Sequence, residues 1–155
     1  MSRGLIGWLW VAGQAVLLGA LILLPGGDAW PRPGWLLAVA GVLFFGGLIL
    51  LGIAALRLGT ALTPTPVPVS YGKLTTGGLY GYMRHPIYTG VLTTVAGITL
   101  RSGSWLHVAI AVATVVFFDR KAAWEEARLA ERYPDYPTYA ARTPKFVPGP
   151  WVRSA

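Results

Sequence analysis

The chain has 155 residues, of which 54% are hydrophobic and 12% are charged, and its formal net charge is +7. A soluble domain carries about 25% charged residues, so this composition predicts one membrane domain with a few spans. The absence of cysteine excludes disulfides, thiolate metal sites and a cysteine nucleophile. The basic excess is typical of loops on the cytoplasmic side of a membrane, and no aromatic-interleaved basic run indicates a nucleic-acid partner.

Two long uncharged runs occupy the first part of the chain, from Gly4 to Gly27 and from Pro33 to Leu56. At about 1.5 Å per residue, each run can cross a hydrocarbon core of about 30 Å. A signal peptide is the alternative for the first run, although no clean small-x-small cleavage site follows it. We therefore expect spans over about 5–25 and 34–56, joined by a turn rich in proline and glycine.

A predicted loop from Gly59 to Gly78 separates these runs from two shorter ones. Alternate prolines between Thr63 and Val69 prevent a helix there. The following runs, 86–100 and 103–118, are at or below the usual spanning length, and we expect them to form an antiparallel helical hairpin. Snorkelling side chains and local thinning of the bilayer can absorb such a mismatch.

The last part of the chain is predicted to be a helix over 119–133 and then a tail ordered by its aromatic residues. The expected fold class is therefore all-α integral membrane, with about four transmembrane helices, a cytoplasmic C-terminal helix and an ordered tail in a single domain over 1–155. Arginine and lysine are concentrated on one side of such a topology, which predicts that both termini lie in the cytoplasm.

The hairpin has a consequence for two polar clusters that are about 40 residues apart in sequence. Arg84 and His85 precede the third span, and Glu125 and Glu126 follow the fourth. Because the hairpin is antiparallel, both clusters are expected at one face of the membrane. A helix N-terminus at Pro86, a guanidinium, two carboxylates and several aromatic rings suit a zwitterionic, nucleotide-like cofactor.

Structural alternatives stay open at this point. Arg84 and His85 can be interfacial anchors, Tyr88 can be core packing, and Glu125 and Glu126 can be a solvated helix face paired with basic residues at helical spacing. The chain has two histidines, with none near His85, so a metal site is not expected.

Segment 78–90, which reads GLYGYMRHPIYTG, resembles the Arg-His-Pro-x-Tyr-x-Gly signature of the isoprenylcysteine carboxyl methyltransferase family. Phospholipid methyltransferases share a related pattern. The segments 125–129, 136–139 and 143–148 resemble the C-terminal region of the same family, so the resemblance covers about half the chain. It implies a membrane-embedded methyltransferase that uses S-adenosylmethionine at the cytoplasmic end of its helices.

The resemblance also implies roles for particular residues. The implied cofactor contacts are Gly72, Lys73, Leu74, Thr75, Tyr80, His85, Pro86, Tyr88 and Glu125. Arg120 and Lys121 stand where the eukaryotic enzymes have a substrate-binding arginine, one turn before the cofactor glutamate. An acceptor amine or thiol would need a general base, for which His85 and Glu126 are candidates, and Arg84 completes the predicted catalytic group.

The sequence therefore predicts S-adenosylmethionine-dependent methyl transfer to a lipidic or small hydrophobic acceptor at the cytoplasmic face of the cell membrane. Membrane lipids and this acceptor are the expected partners, with no nucleic acid and no metal. Two alternatives are an NADPH-dependent reductase related to sterol reductases and a non-catalytic membrane scaffold. The sequence identifies neither the acceptor, nor the atom that is methylated, nor the oligomeric state.

Overall fold

The structure, a computed structural model, describes residues 2–59 and 74–148, and over these ranges it contains helices and no strand. The all-helical class is confirmed. The helices are α1 (Arg3–Leu23), α2 (Gly34–Leu58), α3 (Pro86–Ser102), α4 (Trp105–Arg132) and α5 (Tyr136–Arg142), with a short 3-10 helix at Gly78–Gly81. The proline-rich part of the predicted loop, 63–69, lies outside the described residues.

Helices α1 and α2 are long and apolar enough to cross a membrane, over Gly4–Leu23 and Gly34–Leu58. Their large apolar side chains are mostly exposed, as expected for surfaces that face lipid. The predicted third and fourth spans correspond to α3 and to the first half of α4. That these two helices also cross the membrane stays a prediction.

Helices α2 and α3 pack closely because glycines let their backbones approach. A Cβ atom added to Gly90 would lie 2.7 Å from the Leu51 backbone nitrogen, and one added to Gly97 would lie 2.6 Å from the Ala40 carbonyl oxygen. Helix α4 packs against α3 and, on another side, against α1. Helix α1 contacts α3 as well as α4, so α1, α3 and α4 pack against one another.

The hairpin of α3 and α4 turns at Gly103, which adopts a left-handed conformation with φ of 63°. The preceding α1–α2 loop joins this turn through two backbone hydrogen bonds, from Gly27 N to Ser102 O and from Ala29 N to Gly103 O, each 2.8 Å long. We call this the turn end of the protein. The opposite end, where α3 begins and the second half of α4 lies, is the site end.

Candidate functional site

The site end is organised by the segment that leads into α3. His85 is the last residue before the helix, and Pro86 takes its first position, where a missing N–H is tolerated. The backbone N–H groups of Arg84 and His85 donate to the carbonyls of Pro144 and Lys145, at 2.8 and 3.0 Å. The C-terminal segment is therefore paired with the segment before α3.

Glu126 joins this segment to α4. Its Oε1 atom lies 2.9 Å from Nε2 of His85 and accepts a hydrogen bond of 3.0 Å from Nε of Arg84. Burial acts to raise the pKa of Glu126, but the hydrogen bonds and positive charge of His85 and Arg84 outweigh it and lower that pKa. Glu126 is therefore a carboxylate at neutral pH.

The side chain of Arg84 forms its hydrogen bonds inside the protein. Besides Glu126, its guanidinium donates through one terminal nitrogen to the carbonyls of Ala140 and Thr143, at 2.7 and 2.6 Å. Its side chain is mostly buried. These contacts hold the end of α5 against the site, so the structure places Arg84 inside the protein, not at the lipid surface.

Tyr88 and Glu125 form another hydrogen-bonded pair at the site end. The Tyr88 hydroxyl donates to Oε2 of Glu125 at 2.7 Å, and the Tyr88 ring stacks on the imidazole of His85 with centroids 5.1 Å apart and planes 5° from parallel. Nδ1 of His85 lies 3.8 Å from the same Oε2 atom, which is too far for a hydrogen bond. His85 thus stands between the two glutamates and is bonded to only one of them.

Tyr80 is buried and fixes the 3-10 helix to its surroundings. Its hydroxyl donates to the Ala54 carbonyl at 3.4 Å, and its own carbonyl accepts from the Tyr139 hydroxyl at 2.5 Å. Burial and the charge of Glu125 raise the pKa of Tyr80, and burial raises that of Tyr139 to about 12. Both phenols therefore stay protonated and act as hydrogen-bond donors.

The two residues predicted to bind the substrate differ in their exposure. Arg120 is exposed on α4, whereas Lys121 is buried and donates to Oε1 of Gln14 in α1 at 2.6 Å. Adjacent residues of a helix point in different directions, which accounts for the difference. Of the upstream stretch, Leu74 and Thr75 are half-buried, and Gly72 and Lys73 lie outside the described residues.

Three residues contribute to this region without having been predicted as site residues: Tyr139, Gln14 and Phe146. The Phe146 ring lies 6.0 Å from that of His85, and its carbonyl accepts from the Thr89 hydroxyl at 2.8 Å. The sequence does indicate a special role for Gln14, since it is the one glutamine of the chain and interrupts an apolar run. Tyr139 and Phe146 were expected only to order the tail.

Comparison with known proteins finds a match to the sequence model of a protein family. Residues 35–136 match the sequence model of the phospholipid methyltransferase family. A curated relative, the cobalt-zinc-cadmium resistance protein CzcN of Cupriavidus metallidurans, is 33% identical over 76 residues, which are 48% of this chain and 35% of that protein. The aligned part of the chain thus spans about a third of the length of this relative. The matched range contains the segment before α3, the whole hairpin and both glutamates.

Proposed function

Because the chain belongs to the phospholipid methyltransferase family, we propose that it transfers a methyl group from S-adenosylmethionine to a lipidic or small hydrophobic acceptor. The observation that carries this proposal is the group of His85, Tyr88 and Glu125, held together at one end of an apolar helical protein. Within the family, the signature before α3 favours the isoprenylcysteine carboxyl methyltransferase-like type.

The chemistry of the donor set fits this cofactor, which supplies a methyl group on a positively charged sulfur. Glu125 offers an acceptor for an ammonium or for ribose hydroxyls, and its carboxylate stands beside aromatic rings that favour cations. Two further predicted cofactor contacts, Tyr80 and Pro86, are both buried. Leu74 and Thr75 precede this group in the chain, as do Gly72 and Lys73.

In this proposal the protein mainly positions the two reactants and excludes water. Glu126 and Arg84 hold His85, and Tyr88 holds Glu125, so the side chains that face the reactants are fixed before binding. Arg84 also fastens the C-terminal segment across the site. We assign Arg84 and Glu126 to positioning, since their hydrogen bonds are made within the protein.

His85 is the candidate base for an acceptor that must lose a proton. Glu126 is ionised and can only accept, so Nε2 of His85 carries the hydrogen in their 2.9 Å bond. When the ring carries this single hydrogen, Nδ1 has a free lone pair, and Nδ1 lies 3.8 Å from Oε2 of Glu125. An amine or thiol acceptor can give its proton to Nδ1, whereas a carboxylate acceptor needs no base.

The family match favours a transferase over the NADPH-dependent reductase and the scaffold considered above. The chain has the composition and the two long apolar helices of a membrane protein. We propose a multi-pass protein of the cell membrane whose termini and site face the cytoplasm, because most basic residues would then lie on that side. Arg120 at the surface and Lys121 inside are the proposed acceptor contacts.

Calorimetry with S-adenosylhomocysteine and purified protein in nanodiscs tests the proposal directly. Glu125→Gln removes the carboxylate charge and should weaken binding at least about tenfold, about 1.4 kcal/mol. Glu131→Gln, the same change at an exposed position of α4, is the matched control and should bind like the wild type. Folded protein that binds NADPH but not the homocysteine analogue, or an unchanged Glu125→Gln variant, would contradict the proposal.

A further inference from the structure

The C-terminal segment 143–148, which we call the strap, crosses the start of α3 in an irregular conformation. Four consecutive carbonyls of the strap, 143–146, accept hydrogen bonds of 2.6 to 3.0 Å from the segment 84–89. The donors are the guanidinium and the backbone N–H of Arg84, the backbone N–H of His85 and the hydroxyl of Thr89. A row of single hydrogen bonds therefore fastens the strap to the segment that leads into α3.

This row of hydrogen bonds is one-sided. Each bond uses a carbonyl of the strap, and Pro144 and Pro148 have no N–H to donate. The N–H of Thr143 turns back into α5 and donates to the Tyr139 carbonyl at 3.1 Å. Val147 is 73% exposed. A short segment with few buried contacts opens at a lower free energy than a packed helix, so the strap can detach while the helices stay folded.

Two further contacts join the strap to the two helices of the hairpin. The Thr89 hydroxyl of α3 donates to the Phe146 carbonyl at 2.8 Å, and Lys145 donates to Asp119 of α4 at 2.8 Å. Thr89 occupies an x position of the Arg-His-Pro-x-Tyr-x-Gly signature, so its bond is not part of that signature. The side chains of Lys145 and Asp119 are 26% and 48% exposed. An ion pair of this exposure is weak and sensitive to salt, so the contact is readily reversed.

The strap covers the side chain of His85, which is 6% exposed. Tyr88 stacks on the imidazole, Glu126 is bonded to it, and the Phe146 ring lies 6.0 Å from it. Tyr88 and Glu126 belong to α3 and α4, whereas Phe146 belongs to the strap. The reaction proposed above requires reactants beside His85. Of these three neighbours, Phe146 is the one that can move aside without breaking a helix.

We propose that the strap is a lid on the cofactor site, which detaches to admit S-adenosylmethionine and to release S-adenosylhomocysteine, and that the Thr89–Phe146 and Lys145–Asp119 contacts hold it closed. The inference rests on the proposed function and adds the step that controls cofactor exchange. A lid of this kind sets the rates of entry and exit. The strap also opens in the free protein, so its opening can be measured without cofactor.

Acylation of histidine by diethyl pyrocarbonate, located by peptide mass spectrometry, measures this opening in cofactor-free protein in nanodiscs. The chain has two histidines, His85 under the strap and His107, which is 2% exposed in α4 close to the turn end. Local opening of the strap exposes His85 alone, whereas global unfolding exposes both histidines. His107 is therefore an internal control for folding in every variant.

Thr89→Val keeps the shape of the side chain but removes the hydroxyl that donates to Phe146. Loss of this hydrogen bond should raise the open fraction, and with it the acylation rate of His85, about fivefold. Thr93→Val is the matched control, because the Thr93 hydroxyl donates within α3, to the Thr89 carbonyl at 2.8 Å. In this control His85 should react at the wild-type rate.

Lys145→Met removes the ion pair with Asp119 and keeps most of the side-chain volume. Acylation of His85 should rise about twofold at low ionic strength. In about 1 M salt the wild type should react like the variant, because the ion pair is then screened. A wild type whose His85 reactivity does not respond to salt would show that this ion pair does not hold the strap closed.

The exchange of labelled S-adenosylhomocysteine tests the link between the strap and the cofactor. In Thr89→Val the association and dissociation rates should both rise about fivefold, because entry and exit pass through the same open state. The dissociation constant should then stay within about twofold of the wild-type value. A weaker affinity with an unchanged association rate would make the strap a fixed binding contact and would overturn the inference.

Unchanged acylation of His85 in Thr89→Val, or acylation of His107 that rises in parallel, would also overturn it. The acylation experiments need no cofactor, so their failure leaves the binding of S-adenosylhomocysteine intact. Conversely, a protein that shows the expected acylation of His85 but does not bind the homocysteine analogue keeps a moving strap and loses the proposed transferase function.

Discussion

Polar contacts close both ends of the protein, but the two ends use different chemical groups. At the turn end, most acceptors are backbone carbonyls, and the α1–α2 loop that supplies several of the donors is largely exposed. At the site end, His85, Glu126 and Arg84 bring ionisable side chains into a buried network. Backbone contacts at the surface fasten loops at little cost. Buried charges are much more expensive, so their concentration at one end indicates where the chemistry takes place.

The largest expected effect comes from breaking the buried network. Glu126→Gln keeps the side-chain volume but leaves the charge of Arg84 without its partner. Removing one member of a buried pair lowers the free energy of unfolding by about 3–5 kcal/mol. Because Glu126 is only partly buried, we expect a loss near the lower limit of this range. Chemical denaturation in detergent should show this loss, and methyl transfer should fall with it. A stability within about 0.5 kcal/mol of the wild type would mean that the two ends are energetically alike.

Acid pH should sharpen the same comparison. The pKa of Glu126 is lowered in the folded protein from its ordinary value of 4.5. Its contribution to stability is therefore fully present above that value and is lost as pH falls through the lower, folded pKa. The difference in unfolding free energy between the wild type and Glu126→Gln should be constant from neutral pH to about 5 and then shrink. If the difference in unfolding free energy shrinks between pH 8 and 6, a group other than Glu126 causes the pH dependence.

A substitution at the turn end should lower the stability less than one at the site end. Trp30 donates from Nε1 to the Leu100 carbonyl at 3.1 Å and packs edge-on against Trp105. Trp30→Phe removes this hydrogen bond, which is worth about 1 kcal/mol, and leaves a ring in place. We expect a slightly lower melting temperature and unchanged binding of S-adenosylhomocysteine. Weaker binding would show that the turn end is coupled to the site.

The sequence predicted the hairpin and the meeting of its polar ends because both follow from local patterns. Apolar runs define the helices, Pro86 marks a helix start, and antiparallel geometry then brings His85 and Glu126 to one end. The contacts of Arg84 with the Ala140 and Thr143 carbonyls were not predictable in this way. Backbone acceptors have no residue signature, so a sequence pattern does not reveal which of them a guanidinium will bind.

The pairing of Gln14 with Lys121 was missed for another reason. The two residues are far apart in sequence, and their contact depends on how α1 is rotated against α4. The long apolar run of α1 gives little information about that rotation, since nearly every face of the helix is hydrophobic. The single glutamine marks the polar direction of the helix, but its partner is apparent only in the packed structure.

The smallest expected effect is at the outermost contact of the turn end. Asp28 accepts a hydrogen bond of 2.6 Å from Arg32, but its side chain is 93% exposed. An exposed ion pair of this kind contributes at most about 1 kcal/mol and is screened by salt. Asp28→Asn should leave the melting temperature within error at physiological ionic strength, because Arg32 also donates to the Ser102 carbonyl. A clear loss that disappears in high salt would show that charge, as well as backbone pairing, closes this end.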